Sequence, residues 1–423
     1  MSATTAPFTI RKAPAPPGHQ RWPAAVWALL ATTLLARGFG FAYPFLSYHL
    51  RHLGFTTQTV GQAIAVFGTG WLLGQVLTGW ASDRLGRRRT LVAAMTTAAL
   101  CLPLLAQAHT ATAVYAGSLI AGIVYDAPRP VVSAVIADLI PDDAQRAAIN
   151  GWRHGTVNIG AAITGAVGGL LAGQLGFEAL FWFNAAACAL CALIAHRYLA
   201  ADAPTATSRN PASSSLRSAL RDPRLWLLWA ASNGALICAA GMFTTLPILM
   251  EHDNLPPSAY GWTQLANAAA VIALTPVLTP WLSRRCGHQR PMLGMLSASA
   301  LLLGAGMGSA GLADSTIGYS LAVMVAVPGE IVFFIAASDV LNKISPADAR
   351  GLYAGLWGST LAIGVIISPV LTATSLTTGG ATLAALTTLA SGVAGAALCL
   401  PLSGLTHRRP ALTAPTTPVP AVT

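Results

Sequence analysis

The sequence predicts an all-α membrane protein with twelve transmembrane helices arranged as two pseudo-symmetric six-helix bundles. Three observations carry that expectation. Apolar residues make up 54% of the chain and charged residues 9%, with a mean hydropathy of +0.60, a composition suited to lipid rather than water as the solvent. Apolar runs of roughly 20 residues, the length that crosses a bilayer core, recur from end to end. They fall into two sets of six, divided by the polar stretch TSRNPASSSLRSALRDPR.

Taken in order, residues 1–22 read as a polar, Pro-rich cytoplasmic arm without a cleavage-like pattern, so the first helix serves as its own membrane signal. The first bundle, 23–199, contains runs at about 25–50, 58–80, 91–110, 112–138, 146–172 and 178–199, with only LIPDDAQ between the fourth and fifth. A cytoplasmic linker at 200–223 leads to the second bundle, 224–402, whose runs begin near 224, 258, 291, 316, 350 and 380. The Thr- and Pro-rich cytoplasmic tail, 403–423, is expected to be disordered. Basic loops stay in the cytoplasm. Twelve spans with both termini inside leave every Lys and Arg on that side except Arg37, Arg129 and Arg153 within helices and Arg51 outside. A multi-pass protein of the cell inner (plasma) membrane follows, its lipid partner being the bilayer. The net charge of +10 is therefore a topology signal; a nucleic-acid partner would require a basic face on a soluble module. Cys188 and Cys191 form a CxxC spacing within an Ala-rich apolar run, where small packing residues are the expected role. No metal site, cofactor or catalytic residue is expected.

The two halves repeat. Shifted by 201 positions, GWASDRLGRRRT at 79–90 lies over PWLSRRCGHQRP, aligning Gly86 with Gly287 and Arg89 with Arg290. Shifted by 204, PDDAQRAAING lies over SPADARGLYAG, which aligns Arg146 with Arg350, Gly151 with Gly355, and Asp126 with Glu330. Duplication of a six-helix unit is the simplest account. GWASDRLGRRRTL resembles the G-x-x-x-D-R-x-G-R-R/K signature between helices two and three of the major facilitator superfamily, with Gly79, Asp83, Arg84, Gly86, Arg87 and Arg88 in register. Gly79 would admit close helix approach and Gly86 a tight reversal. The resemblance implies a cytoplasmic latch between the halves: Asp83 facing the start of helix eleven near Arg350, and Arg87 reaching Asp138. Helix five carries NIGAAITGAVGG, which resembles the drug-antiporter signature G-x-x-x-G-P-x-x-G-G at Gly160, Gly168 and Gly169; Thr164 and Gly165 stand in place of its Gly-Pro.

Ionisable residues at bilayer depth mark pathways or pair with one another. Four stand out: Arg37 in helix one, Asp126 and Arg129 in helix four, and Glu330 in helix ten. Helices one, four, seven and ten line the central cavity in the fold this chain resembles. Asp126 and Arg129, three apart, can neutralise each other, which ranks Asp126 second for proton coupling. Glu330, with no basic residue within four positions, ranks first; the competing reading pairs it with Arg37 or Arg129 across the halves. Phe41, Tyr43, Tyr125, Phe243, Phe333 and Trp357 join Arg37 and Arg129 as the expected substrate cavity. The wall is apolar and aromatic, suited to a hydrophobic or amphipathic small molecule.

The function implied is secondary active transport: proton-coupled efflux of a small drug- or antibiotic-like compound by alternating access, in the manner of the twelve-helix drug:proton antiporters. Proton-coupled uptake of a nutrient or metabolite is the alternative. A membrane-embedded enzyme or receptor is a third reading, for which no HExxH, GxSxG or P-loop pattern is present in the sequence. Small-molecule substrate and protons are the expected partners, and a monomer the default state.

Overall fold

A computed structural model of the chain describes residues 22–140, 143–200, 219–286, 291–346 and 349–407. The N-terminal arm before Trp22, most of the linker and the tail beyond His407 lie outside the described residues. Helices α1 (Ala24–Gly38) and α2 (Ala42–His52) form a first crossing broken around Gly40. Then come α3 (Thr57–Leu85) and α4 (Arg87–Ala106). The fourth crossing is broken again, α5 (Ala111–Tyr125) followed by α6 (Pro128–Leu139), and α7 (Asp143–Leu175) and α8 (Phe177–Tyr198) complete the first bundle. In the second, α9 (Pro223–Gly241) bends by 44° into α10 (Thr245–His252). Helices α11 (Pro257–Cys286), α12 (Leu293–Ala310) and α13 (Thr316–Ile344) follow. The last, α14 (Arg350–His407), is two helices meeting end to end at Gly380.

Among the described residues, nine helices are long and apolar enough to cross a membrane, and the bent α9–α10 pair makes a tenth. The broken α5–α6 pair and the two arms of the 58-residue α14 bring the crossings to the expected twelve. The breaks have local causes. Pro128 has no N–H to donate into α5, and starts α6 instead, where a first-turn proline costs nothing. Side-chain caps start several spans: Thr56, Thr110 and Ser315 accept from the backbone N–H three residues on, at 3.2, 3.3 and 3.3 Å.

The internal repeat is visible in the backbone. Gly176 between α7 and α8 has φ 80, and Gly380, 204 positions later, has φ 70; each reverses the chain between the last two crossings of its half, in a region that favours glycine. Gly54 and Asn254, at φ 86 and φ 57, close the first crossing of each half with matching hydrogen bonds, Phe55 N–H to Leu50 O at 3.0 Å and Leu255 N–H to Met250 O at 2.9 Å.

The halves meet at one end of the molecule. There, Arg51 Nε donates to both carboxylate oxygens of Glu251 at 3.0 Å. A methyl group added to Gly61 would lie 2.9 Å from Pro369 O, and one on Gly169 2.9 Å from Pro257 O, so α3 touches α14 and α7 touches α11 backbone to backbone. Toward the Arg87 end, methyls on Gly79, Gly155, Gly355 and Gly358 would meet no described atom within 4 Å. Among the described residues, the bundles are closed at the Arg51 end and part toward the Arg87 end.

Candidate functional site

The breaks in the first and fourth crossings place the buried charges. Arg37 occupies the last turn of α1, beside carbonyls left free by the break, where a cation is favoured. Asp126 sits in the break of the fourth crossing, and Arg129 in the first turn of α6. Asp126 is buried, its side chain 2% exposed, and ion-pairs with Arg37 through Oδ1 and with Arg129 Nε through Oδ2 at 2.9 Å. Trp71 Nε1 and Gln75 Nε2 also donate to Oδ2, at 3.2 and 3.0 Å. Arg37 Nη1 donates to Tyr125 Oη at 2.9 Å, its guanidinium lying 5.0 Å from the Tyr125 ring centre. The Thr164 hydroxyl donates to the Arg37 carbonyl, so one of the two residues that depart from the drug-antiporter signature ties α7 to the end of α1.

These groups form one wall of a cavity of about 230 Å³ between the bundles. Of the predicted cavity residues, Arg37, Tyr43, Tyr125, Arg129 and Phe243 line it, and Glu330 completes the wall from the second bundle. Among the described residues Glu330 has neither ion-pair nor hydrogen-bond partner; the arginines expected as its alternative partners are held at Asp126 instead. Tyr43 stacks on Phe67 at 4.8 Å and Trp71 meets Tyr125 edge-on at 5.3 Å, which makes the wall aromatic as well as charged.

Three expected lining residues lie elsewhere. Phe41 and Phe333 are fully buried core residues, and Trp357 donates to Ser232 Oγ at 2.9 Å between helices of the second bundle. A break in the helix rotates Phe41 away, and on α13 the neighbouring Phe334 takes the cavity face. Trp71, Thr164, Tyr260 and Gln264 line the site unforeseen. The signal for Gln75 and Gln264 was present: each is an amide within a long apolar run, Gln264 followed three residues on by Asn267. Gln264 Nε2 donates to Met242 O at 2.9 Å, satisfying a carbonyl released by the bend between α9 and α10.

At the Arg87 end, Gly86 turns α3 into α4 in a single residue at φ 96. Arg87 Nε meets Asp138 Oδ2 at 3.3 Å, and its Nη1 donates to Ser82 Oγ at 3.0 Å. Arg84 stacks over Trp80 at 5.1 Å, and Arg88 Nη2 donates to the His196 ring at 3.1 Å. The side chains of Asp83 and Arg350 lie outside the described residues. Gly79 has open space around it, which corrects the expectation of a close approach there. Gly70, Gly74 and Gly122 supply the tight contact between α3 and α5.

The family model described as Major Facilitator Superfamily matches residues 28–369. The gentisate transporter of Corynebacterium glutamicum is 33% identical over 41% of this chain and 39% of its own length. The class E tetracycline resistance protein of Escherichia coli is 33% identical over 40% of this chain and 41% of its own. The chain thus spans about two fifths of these two relatives. Multidrug resistance protein MdtH of Shigella dysenteriae serotype 1 matches more broadly, 26% identical over 79% of this chain and 82% of its own. Among solved structures, a mutant of the nucleoside transporter NupG superposes with a TM-score of 0.71 at 17% identity, covering 90% of this chain and 99% of NupG, a likeness of fold.

Proposed function

The chain belongs to the Major Facilitator Superfamily and is a multi-span membrane transporter; from that premise we propose that it exports a small amphipathic organic compound in exchange for protons, by alternating access. One observation carries the reading. Glu330 stands unpartnered on the second bundle's side of a cavity whose other side holds the fixed Arg37–Asp126–Arg129 cluster. A carboxyl in that position has no cation to neutralise it, so a proton is its counter-charge. Asp126, bound by two guanidiniums and two neutral donors, serves as the structural anchor of the cluster.

Alternating access supplies the rest. With the Arg51 end closed and the Arg87 end parted, substrate enters from the cytoplasm, taken as the Arg87 side. Rocking of the bundles then exposes the same cavity to the other side, where Glu330 takes up the proton that it releases inward on return. Resemblance to tetracycline and multidrug resistance proteins supports export; the gentisate relative keeps uptake as the alternative direction.

The test uses the full chain in inside-out vesicles of an efflux-deficient host, with a compound panel scored for accumulation with and without a proton gradient. Glu330→Gln is expected to abolish gradient-driven accumulation while leaving counterflow of the same compound within about threefold. Undiminished driven transport in Glu330→Gln would remove Glu330 from coupling, and resistance that survives collapse of the gradient would remove the proton.

A further inference from the structure

The charge around the cavity is unbalanced in one direction. Arg37 and Arg129 line it and share the single carboxylate of Asp126. A third cation stands one step toward the open end: Arg153, on α7, donates from Nη1 to Ser133 Oγ at 2.7 Å, and Ser133 in turn donates back to Arg129 O at 2.8 Å. Against three guanidiniums stand two carboxyls, Asp126 and Glu330. On the wall itself Arg37 and Arg129 balance Asp126 and ionised Glu330, so the wall carries net positive charge once Glu330 holds a proton, and Arg153 beside it adds a further positive charge on the approach.

One guanidinium has unused capacity. Arg37 commits Nη1 to Tyr125 and Nη2 to Asp126. Arg129 engages Asp126 through Nε, is 49% exposed, and faces the cavity with no described partner for Nη1 or Nη2. That outer edge presents two N–H groups in the geometry that receives a carboxylate. Tyr43, Trp71, Tyr125, Phe243 and Phe334 surround it with aromatic surface, and low-dielectric walls focus the field of the unbalanced charge into the gap.

We infer that the cargo of this cavity is a small aromatic organic anion, its carboxylate received by Arg129 and drawn in past Arg153. The inference rests on the transport reading above and narrows it: a lipophilic cation, the commonest expectation for an apolar export cavity, meets repulsion here whenever Glu330 holds a proton. It also gives Glu330 a second consequence, since protonation there deepens the positive potential where the anion sits, and deprotonation weakens its hold.

The test reads the cavity charge directly, without knowing the cargo. Val157, which lines the cavity one turn from Arg153, is replaced by Cys in the full chain reconstituted in nanodiscs, where both faces are accessible. The cysteine reacts in parallel with sulfonatoethyl methanethiosulfonate and trimethylammonioethyl methanethiosulfonate, each rate normalised to that with a free thiol in solution, and the parent chain supplies the background. The anionic reagent is expected to react about 10-fold faster than the cationic one, a ratio of the size that electrostatic focusing produces. Arg129→Gln is expected to lower the ratio at least threefold, Arg129→Lys to keep it within twofold, and Glu330→Gln to raise it. Should Arg129→Gln fail to fold, Arg153→Gln is the second variant, again lowering the ratio. Equal rates, or preference for the cationic reagent, overturn the proposal. In the compound panel, the species moved are expected to be aromatic carboxylates; a moved set of cations overturns it as well. A panel in which nothing moves counts against transport of such compounds at all, while the reagent ratio still decides the sign of the cavity.

Discussion

Asp126 shows how one side chain can organise a membrane-embedded site. Two guanidiniums, an indole and an amide all point at its two oxygens, so removing it strands two cations at once. Breaking a buried ion pair from one side costs about 3–5 kcal/mol; Arg129 is half exposed and can relax toward the crevice, which places the expected loss for Asp126→Ala near the lower figure. Urea unfolding of the full chain in detergent checks it, and a loss under ~1 kcal/mol would make the cluster dispensable to the fold. A second carboxylate acts outside the spans. Asp222 caps α9, accepting from Arg224 N, Nε and Nη2 at 3.0, 3.0 and 2.8 Å and from Tyr353 Oη at 2.8 Å. Burial alone would raise its pKa, but those donors hold it below the usual 3.8. A carboxylate whose folded value is depressed contributes stability that is complete above the unfolded value and fades as pH falls through the folded one. The chain is thus expected to lose stability below about pH 4, and Asp222→Asn to flatten that slope; an identical pH profile in the variant would detach the loss from Asp222. From sequence, the charges themselves were legible, because ionisable residues within apolar runs are rare enough to notice. Their partners were not: Trp71 and Gln75 sit 55 and 51 positions before Asp126 in the chain, and only packing of α3 against the broken fourth crossing brings them together.

Broken helices and paired turns decide geometry at the level of the element. Three of the crossings that line the cavity, the first, fourth and seventh, are interrupted, and each interruption carries a polar group: Arg37 beside the first, Asp126 within the second, and the Met242 carbonyl bound by Gln264 at the third. Sequence periodicity shows long apolar runs there without showing where they snap, which is why Phe41 was expected in the cavity and lies in the core; on the unbroken α13, Phe333 and Phe334 are adjacent, and the sequence does not say which of the two faces inward. A modest rotation after a break exchanges neighbours on a helix face. The twelve crossings and the repeat, in contrast, were open to reading, because run length and loop charge register directly in composition. The repeat makes a paired prediction. Gly176 and Gly380 hold φ 80 and 70, and neither would meet a neighbour if given a methyl, so substitution costs only backbone strain. Gly176→Ala and Gly380→Ala are each expected to lower stability by about 1–3 kcal/mol and by matching amounts. A large cost at one and none at the other in thermal unfolding of the solubilised chain would break the structural equivalence of the two turns.

Across the whole molecule, the two bundles are held at one end by a clasp built on equivalent positions. Arg51 and Glu251 are 200 residues apart, each near the end of the first crossing of its half, and they carry opposite charges. The duplicated site has thereby become a complementary pair across the pseudo-twofold axis. Tyr43, Ser47 and Arg51 recur every four residues on α2, so a single helix face runs from the cavity to the clasp. Along it and across from it, the hydroxyls of Tyr43, Ser47, Tyr48 and Tyr260 are buried without described partners, a cost that hydration relieves once this end opens. The closed state is accordingly held by the clasp and the glycine contacts against a strip of hydroxyls favouring water. An ion pair with side chains 37% and 20% exposed contributes about 1 kcal/mol even in bidentate geometry. Its loss is therefore expected to shift the balance of states about fivefold toward opening at the Arg51 end. Ser47→Cys, 1% exposed in the closed state, reports that balance through its rate of reaction with a neutral thiol reagent. Arg51→Glu, which adds repulsion to the lost attraction, should raise the rate at least about fivefold, and adding Glu251→Arg should return it close to the starting value because the exchanged charges restore attraction. If the doubly exchanged chain stays as reactive as the single variant, charge complementarity is not what closes this end, and closure belongs to the backbone contacts of Gly61 and Gly169.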